Sequence, residues 1–286
     1  MTGASSGIGR ATALRLANEG YHVFTADVHG ADGDVPAPAG QGRLTHARMD
    51  VTDPAGIAVV AGEVSAHVGQ AGLTALVNNA GIGTAYPLEL IPLERFRSTF
   101  AVNVDGLLAV TQAMLPLIRQ ASGHIVNMGS VGGRITMPFA GALTASKYAV
   151  RSVTDALRLE LAPWGIRVVL IEPATIHTEA VGKLERDAAK ALGQFGSEGQ
   201  RLYASIFEAM TRKAVARESG GSSPDLVAEL IARVIANPRP KTHYLVGKDS
   251  HLLAMVAALP APILDAMRRK LFALPDPGSF RQPHNP

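Results

Sequence analysis

Cysteine is absent from the 286 residues, which excludes disulfides, thiolate metal sites and thiol nucleophiles; no metal site is expected. Charge is sparse: 27 Lys and Arg against 24 Asp and Glu leave a formal net charge of +3. With no long basic run and no aromatic-rich basic strip, a nucleic-acid partner is not expected. No basic leader followed by an apolar core opens the chain, and no apolar run reaches the ~18 residues of a membrane span. The expected location is therefore cytoplasmic. One further absence is internal to the pattern. A glycine-rich turn, "TGASSGIG" over 2–9, stands where a buried parallel strand should lead into it, yet only Met1 precedes it. A central strand is thus missing from the sequence as given, and a natural start upstream of Met1 is the expectation.

What is present is the composition of a globular enzyme, 47% hydrophobic with 29 glycines. Short β-branched runs alternate with longer amphipathic stretches, which predicts βαβ units and a parallel sheet covered on both faces. Strands are read at 21–27, 44–51, 73–79, 124–130, 166–173 and 242–246, with helices between. Asp53-Pro54 and Ser223-Pro224 each look like an N-cap followed by proline at the first helical position. Residues 29–42 read as a Gly/Pro-rich loop and 219–223 as a second irregular stretch; neither divides the chain, so 1–286 is read as one α/β domain.

Gly3, Gly7 and Gly9 open a helix. Such glycines let backbone N–H groups approach a pyrophosphate, whose charge the helix N-terminus favours; alone, they fit a ligand-free turn as well. Asp27 ends the next strand about twenty residues on, where a carboxylate accepts from both hydroxyls of an adenosine ribose and repels a 2′-phosphate. Asp50 either faces the adenine or caps the helix that begins after Asp53.

Taken in order, "TGASSGIG" (2–9), "NNAG" (78–81), Asn103 in "FAVNVDG", Ser130 in "NMGS", Lys147 and "EPATIHT" (172–178) resemble the motifs of the short-chain dehydrogenase/reductases, over essentially the whole chain. The hydroxysteroid- and retinol-dehydrogenase-like members are the nearest in character. The resemblance implies a Rossmann-type doubly wound parallel sheet and hydride transfer between NAD(H) and an alcohol or carbonyl. It places the cofactor on Gly3, Ser5, Ser6, Gly7, Ile8, Gly9, Asp27, Asp50, Val51, Asn79, Ala80, Gly81, Lys147, Pro173, Ile176 and Thr178, and catalysis on Asn103, Ser130 and Lys147. Ala174 stands where glycine is usual. NAD(H) is expected over NADP(H), because Asp27 favours free hydroxyls and Ser6 offers no charge for a phosphate.

The family's proton-relay tyrosine would fall at position 143, four residues before Lys147 on one helix face. Leucine stands there, with no ionisable proton. Tyr148 lies roughly 140° away around the helix and is expected to pack in the helix interface; Thr144 is nearer but far less acidic. Three outcomes are open: a slow oxidoreductase using Ser130 and water, a non-catalytic NAD(H)-binding protein acting through assembly or regulation, or an altered copy of an active enzyme.

Residues 178–222 form the expected helical lid. Tyr203, Phe207 and Met210, with Ile206, fall at helical spacing and either line a pocket for a small apolar alcohol or carbonyl compound or pack on the domain. The apolar C-terminal extension, 251–286, is read chiefly as core or subunit packing; its stretch 251–274 could alternatively lie on a membrane surface. By the resemblance, a homodimer or homotetramer forms through the helices bearing 104–118 and 143–162.

Overall fold

The computed structural model describes residues 1–29, 42–272 and 274–279. The expected Gly/Pro-rich loop therefore falls, for residues 30–41, outside them, as does the end of the C-terminal extension. The order is α1 (Gly7–Asn18), β1 (His22–Asp27), β2 (Arg43–Arg48), α2 (Pro54–Val68), β3 (Ala75–Asn78), α3 (Leu93–Phe100), α4 (Leu107–Ala121), β4 (His124–Met128), α5 (Gly141–Leu161), β5 (Arg167–Pro173), α6 (Ala180–Gly193), α7 (Ser197–Ser219), α8 (Pro224–Ala236), β6 (His243–Val246), α9 (Ser250–Val256) and α10 (Ala261–Phe272). Each expected strand has its counterpart, one to three residues shorter at its ends. Asp53 and Ser223 cap α2 and α8 as their Pro-led sequences dictate: Asp53 accepts from the N–H of Ala55 and Gly56, and Ser223 from that of Asp225.

The named strands all pair in parallel. The strands form two sheets, β1–β2 and β3–β4–β5–β6. β4 and β5 are apolar on both faces because both faces are covered. On one face α1 and α8 bury Leu16, Ala17, Val227 and Ile231 against Val77, Val126 and Val169. On the other, α2, α4 and α5 bury Ile57, Val110, Ile118 and Leu157 against Leu76, Ile125 and Val168. This is the doubly wound Rossmann-like architecture, in one domain. The continuous helical run Leu93–Ala121 is long and apolar enough to cross a membrane by composition; the apolar face that α4 packs on the sheet accounts for that character.

Backbone hydrogen bonds of the first three residues join the two sheets. Thr2 N–H donates to the Val77 carbonyl at 3.0 Å, Ala26 N–H to the Met1 carbonyl at 2.8 Å, and Gly3 N–H to the Ala26 carbonyl at 2.8 Å. Behind this stitch lies an apolar cavity of about 240 Å³ between β1 and β3, lined by Val23, Phe24, Ala75, Val77, Val64 and Met114 among others. The Met1 ammonium projects towards it, donates to the Phe24 carbonyl at 2.7 Å, and has its pKa lowered by burial to about 5.

At the C-terminal end, α9 and α10 contribute little to the core. Leu252, Met255, Ile263, Met267 and Leu271 are exposed, so packing among the described residues does not account for their apolar character.

The N-terminal amine has a folded pKa near 5 and an ordinary value near 8. Between those limits the unfolded chain binds more protons, so stability is expected to climb from about pH 5 to pH 8 and level off above, by up to about 4 kcal/mol. N-terminal acetylation should flatten that rise, as measured by urea unfolding across the pH series. Extending the chain before Met1 by five β-branched residues should place a strand in the cavity and raise Tm by roughly 6–12 °C, about 3 kcal/mol at this size.

Candidate active site

The phosphate loop is fixed by close approach. A Cβ on Gly9 would stand 1.9 Å from the Gly3 carbonyl oxygen, and one on Gly3, at φ +63°, would stand 2.7 Å from Ala80 Cα; only glycine fits either place. The "NNAG" segment braces the loop from below. Asn79 Nδ2 donates to the Gly3 carbonyl at 2.7 Å, and Thr2 Oγ1 accepts from the N–H of Asn79 and Ala80 at 3.1 and 3.0 Å. Ser6, the residue preceding α1, makes no side-chain cap, which leaves first-turn N–H groups of α1 free to bind an anion. Gly7 adopts φ +51°, and a Cβ there would lie 3.4 Å from the Thr178 side chain. The loop and the segment after β5 thus face each other across a narrow gap. Ser5 and Ser6 are exposed at its mouth and Ile8 is half-buried.

Asp27 closes β1 beside this loop, where its carboxylate accepts from Ser5 N–H at 3.1 Å and Ser5 Oγ at 2.7 Å. Asp50 does not cap α2. It accepts from the N–H and Oγ1 of Thr52, which hold its carboxyl below the ordinary range. Val51 is buried, and a Cβ on Gly106 would stand 2.7 Å from it; Gly106 lets the start of α4 pack there.

The chemistry-bearing residues gather at the C-terminal ends of β3, β4 and β5. Between α3 and α4, residues Ala101–Gly106 widen into a π-helical turn, a distortion frequent at functional sites. Asn103, within it, is buried: Oδ1 accepts from Ile82 N–H at 2.8 Å, while Nδ2 reaches the Ile82 carbonyl at 3.0 Å and Ser146 Oγ at 2.9 Å. Its side chain braces the loop after Gly81. Ser130 follows β4; its Oγ accepts from Gly132 N–H at 3.0 Å and donates to the Pro173 carbonyl at 3.4 Å. Lys147 Nζ donates to the Met128 carbonyl at 2.8 Å, and burial lowers its pKa to about 8. Nζ stands 3.7 Å from where a Gly81 Cβ would be, and Asn103 Oδ1 3.2 Å from the same point. Leu143 occupies the same face of α5 one turn earlier, its Cδ2 3.6 Å from a Cβ position on Gly83. Tyr148 is 43% exposed, and its hydroxyl donates to the Arg134 carbonyl. Pro173 and Ile176 are buried in the segment facing the phosphate loop.

Two buried networks were not read from the sequence. Asn78 Nδ2 donates to Asn127 Oδ1 and Thr111 Oγ1, both at 2.9 Å, and Asn127 Nδ2 donates to Thr154 Oγ1 at 3.0 Å, tying β3 and β4 to α4 and α5. Polar residues at the buried ends of apolar strands were the available signal. Glu172, fully buried in β5, accepts from Arg134 Nε and Nη2 at 2.7 and 2.5 Å, and Arg151 lies at 3.5 Å. A carboxylate inside "VVLIEP" was the corresponding sign. This pair joins the loop after Ser130 to the end of β5, so the two segments that flank the reacting groups are held together.

In the 178–222 segment Phe207 and Met210, both on α7, are buried, 1% and 6% exposed. Phe207 packs with Tyr86, Ala188, Ala191 and Phe195, while the Tyr203 hydroxyl donates to Glu89.

The chain matches the family model described as short chain dehydrogenase over residues 1–189. It is 33% identical over 280 residues to the human "Dehydrogenase/reductase SDR family member 9", covering 94% of this chain and 86% of that protein. To rat "Estradiol 17-beta-dehydrogenase 2" it is 33% identical over 285 residues, covering 95% and 74%. A short-chain dehydrogenase from Streptomyces avermitilis superposes with a TM-score of 0.74 at 29% identity, covering 95% of this chain and 94% of that one. The chain belongs to the short-chain dehydrogenase/reductase family, whose fold binds nicotinamide cofactors and whose relatives here are oxidoreductases.

Removing one partner of a buried ion pair strands the other, at a cost of roughly 3–5 kcal/mol. Glu172→Met should destabilise the protein by that amount in urea unfolding, and the double change Arg134→Met with Glu172→Met should cost less than the single one.

Proposed function

We propose that the chain binds NAD(H) between the phosphate loop and the 173–178 segment and supports slow hydride transfer with an apolar alcohol or carbonyl compound. The cofactor would supply the hydride. The fit rests on Gly3, Gly7 and Gly9, which keep the cradle clear of side chains, on the uncapped start of α1, and on Asp27 at the ribose position. That carboxylate favours free hydroxyls and so NAD(H), since a 2′-phosphate would meet its charge. Ser130 would hold the substrate oxygen with its hydroxyl, and Lys147 the nicotinamide ribose with its ammonium.

The observation that carries the reading is the company of Leu143. Asn103 Oδ1 and Lys147 Nζ stand together beside Gly81, and Ser130 follows β4, while the position one turn before Lys147 carries a side chain with no proton to give. Water held at Ser130 is then the available proton source. The same leucine favours a second reading, in which binding of NAD(H) serves assembly or regulation without turnover. Exposed Tyr148 and Leu159 on α5, the latter 72% exposed, support a homodimer or homotetramer through that helix. The substrate class follows from the steroid named for the estradiol dehydrogenase relative.

Leu143→Tyr should raise carbonyl reduction by NADH roughly 10²- to 10⁴-fold, the range of a positioned general acid. Steady-state turnover by the unaltered protein at ~1 to 10³ s⁻¹, an ordinary enzyme rate, would show that another group supplies the proton. NADH should bind more tightly than NADPH, and Asp27→Ala should narrow the difference in a fluorescence titration.

A further inference from the structure

Lys147 is an amine without a counter-charge. Among the described residues no carboxylate lies within ion-pair distance of it, and its one polar contact is the Met128 carbonyl. The groups that stand beside Nζ are neutral: Gly81 and Asn103 from the loop after β3 and the π-helical turn, and the Met128 carbonyl from β4. The nearby ionisable groups are engaged elsewhere, Arg134 and Arg151 with Glu172 and the Tyr148 phenol with the Arg134 carbonyl. Taken as a whole residue, Lys147 is half-buried. A phenol at position 143 would stand beside this amine; leucine neither engages its lone pair nor supplies it a proton.

We propose that Lys147 is an aldehyde-reactive amine, forming an imine with apolar aldehydes that enter the site when no cofactor fills it. Nζ adds to the carbonyl carbon and its proton passes through solvent to the oxygen. The carbinolamine then expels that oxygen, and water forms with the second amine hydrogen. One C=N bond replaces the C=O bond, and nothing is oxidised or reduced. The apolar surroundings that exclude a counter-charge also hold the amine in its nucleophilic form, since burial alone brings its pKa to about 8. At pH 7.5 roughly a quarter of such amines are free, against about 0.1% of a lysine with an ordinary pKa near ~10.4. The chemistry goes beyond hydride transfer and does not depend on it.

The test is reductive trapping of the whole, cofactor-free protein with decanal and cyanoborohydride at pH 7.5, read by intact mass and peptide mapping. The expected result is one dominant alkyl adduct, on Lys147, formed at least ~10-fold faster than the mean at exposed Lys213, Lys241 and Lys270. Its rate should rise with pH to a half-maximum near the Lys147 pKa of about 8. Lys147→Arg, which keeps the charge, should remove that adduct and leave the slow surface labelling unchanged. Modification spread over the lysines at similar rates, or a map in which Lys147 stays unlabelled while surface lysines react, overturns the proposal, and both are read on the unaltered protein.

Discussion

Three residues at the start of the chain hold the two sheets in one frame. The backbone of Met1, Thr2 and Gly3 bonds to Phe24 and Ala26 on β1 and to Val77 on β3, and the Thr2 hydroxyl, buried at 3% exposure, takes both N–H groups of Asn79 and Ala80. Every part of the candidate cofactor site hangs from that junction. Asp27 lies one residue beyond the Ala26 pairing, the glycine loop begins at Gly3, and "NNAG" is where β3 leaves the same contact. A shift of register there would move the ribose carboxylate, the phosphate loop and the loop carrying Gly81 together.

The adjoining cavity shows what so short a stitch leaves undone. Each backbone hydrogen bond contributes about 1 kcal/mol net, whereas filling a strand position also removes apolar surface from water at about 25 cal/mol per Å². The stitch supplies the first term over three residues and little of the second. The polar ladder of Asn78, Asn127 and Thr154 and the Glu172 cluster act further along the sheet, where they fix α4, α5 and the post-β4 loop with directional bonds. Their worth lies in position as much as energy, because a buried amide or carboxylate left without partners is costly.

The candidate reacting cluster is held in place by its own contacts. Asn103, Ser146 and the π-helical turn shape the loop after Gly81, and Lys147 is seated by the Met128 carbonyl; none of these contacts involves the side chain at 143. Leucine at that place carries no ionisable proton. With no acidic or phenolic neighbour, burial alone governs that amine.

The order of elements, the glycine loop, the strand-end Asp27 and the leucine at 143 were legible in the sequence, because each depends on local spacing: period-two strands, φ-permissive glycines, and the one-turn separation of 143 from Lys147. The caps at Asp53 and Ser223 were legible for the same reason. Partners that meet across the fold were not. That Asn79 braces the Gly3 carbonyl, that Glu172 gathers two arginines from different segments, that Asp50 turns back onto Thr52, and that Phe207 points into the lid's own packing while Tyr148 faces solvent are decided by tertiary contacts. A helical spacing says which residues share a face, and only the packed structure says which neighbour that face meets.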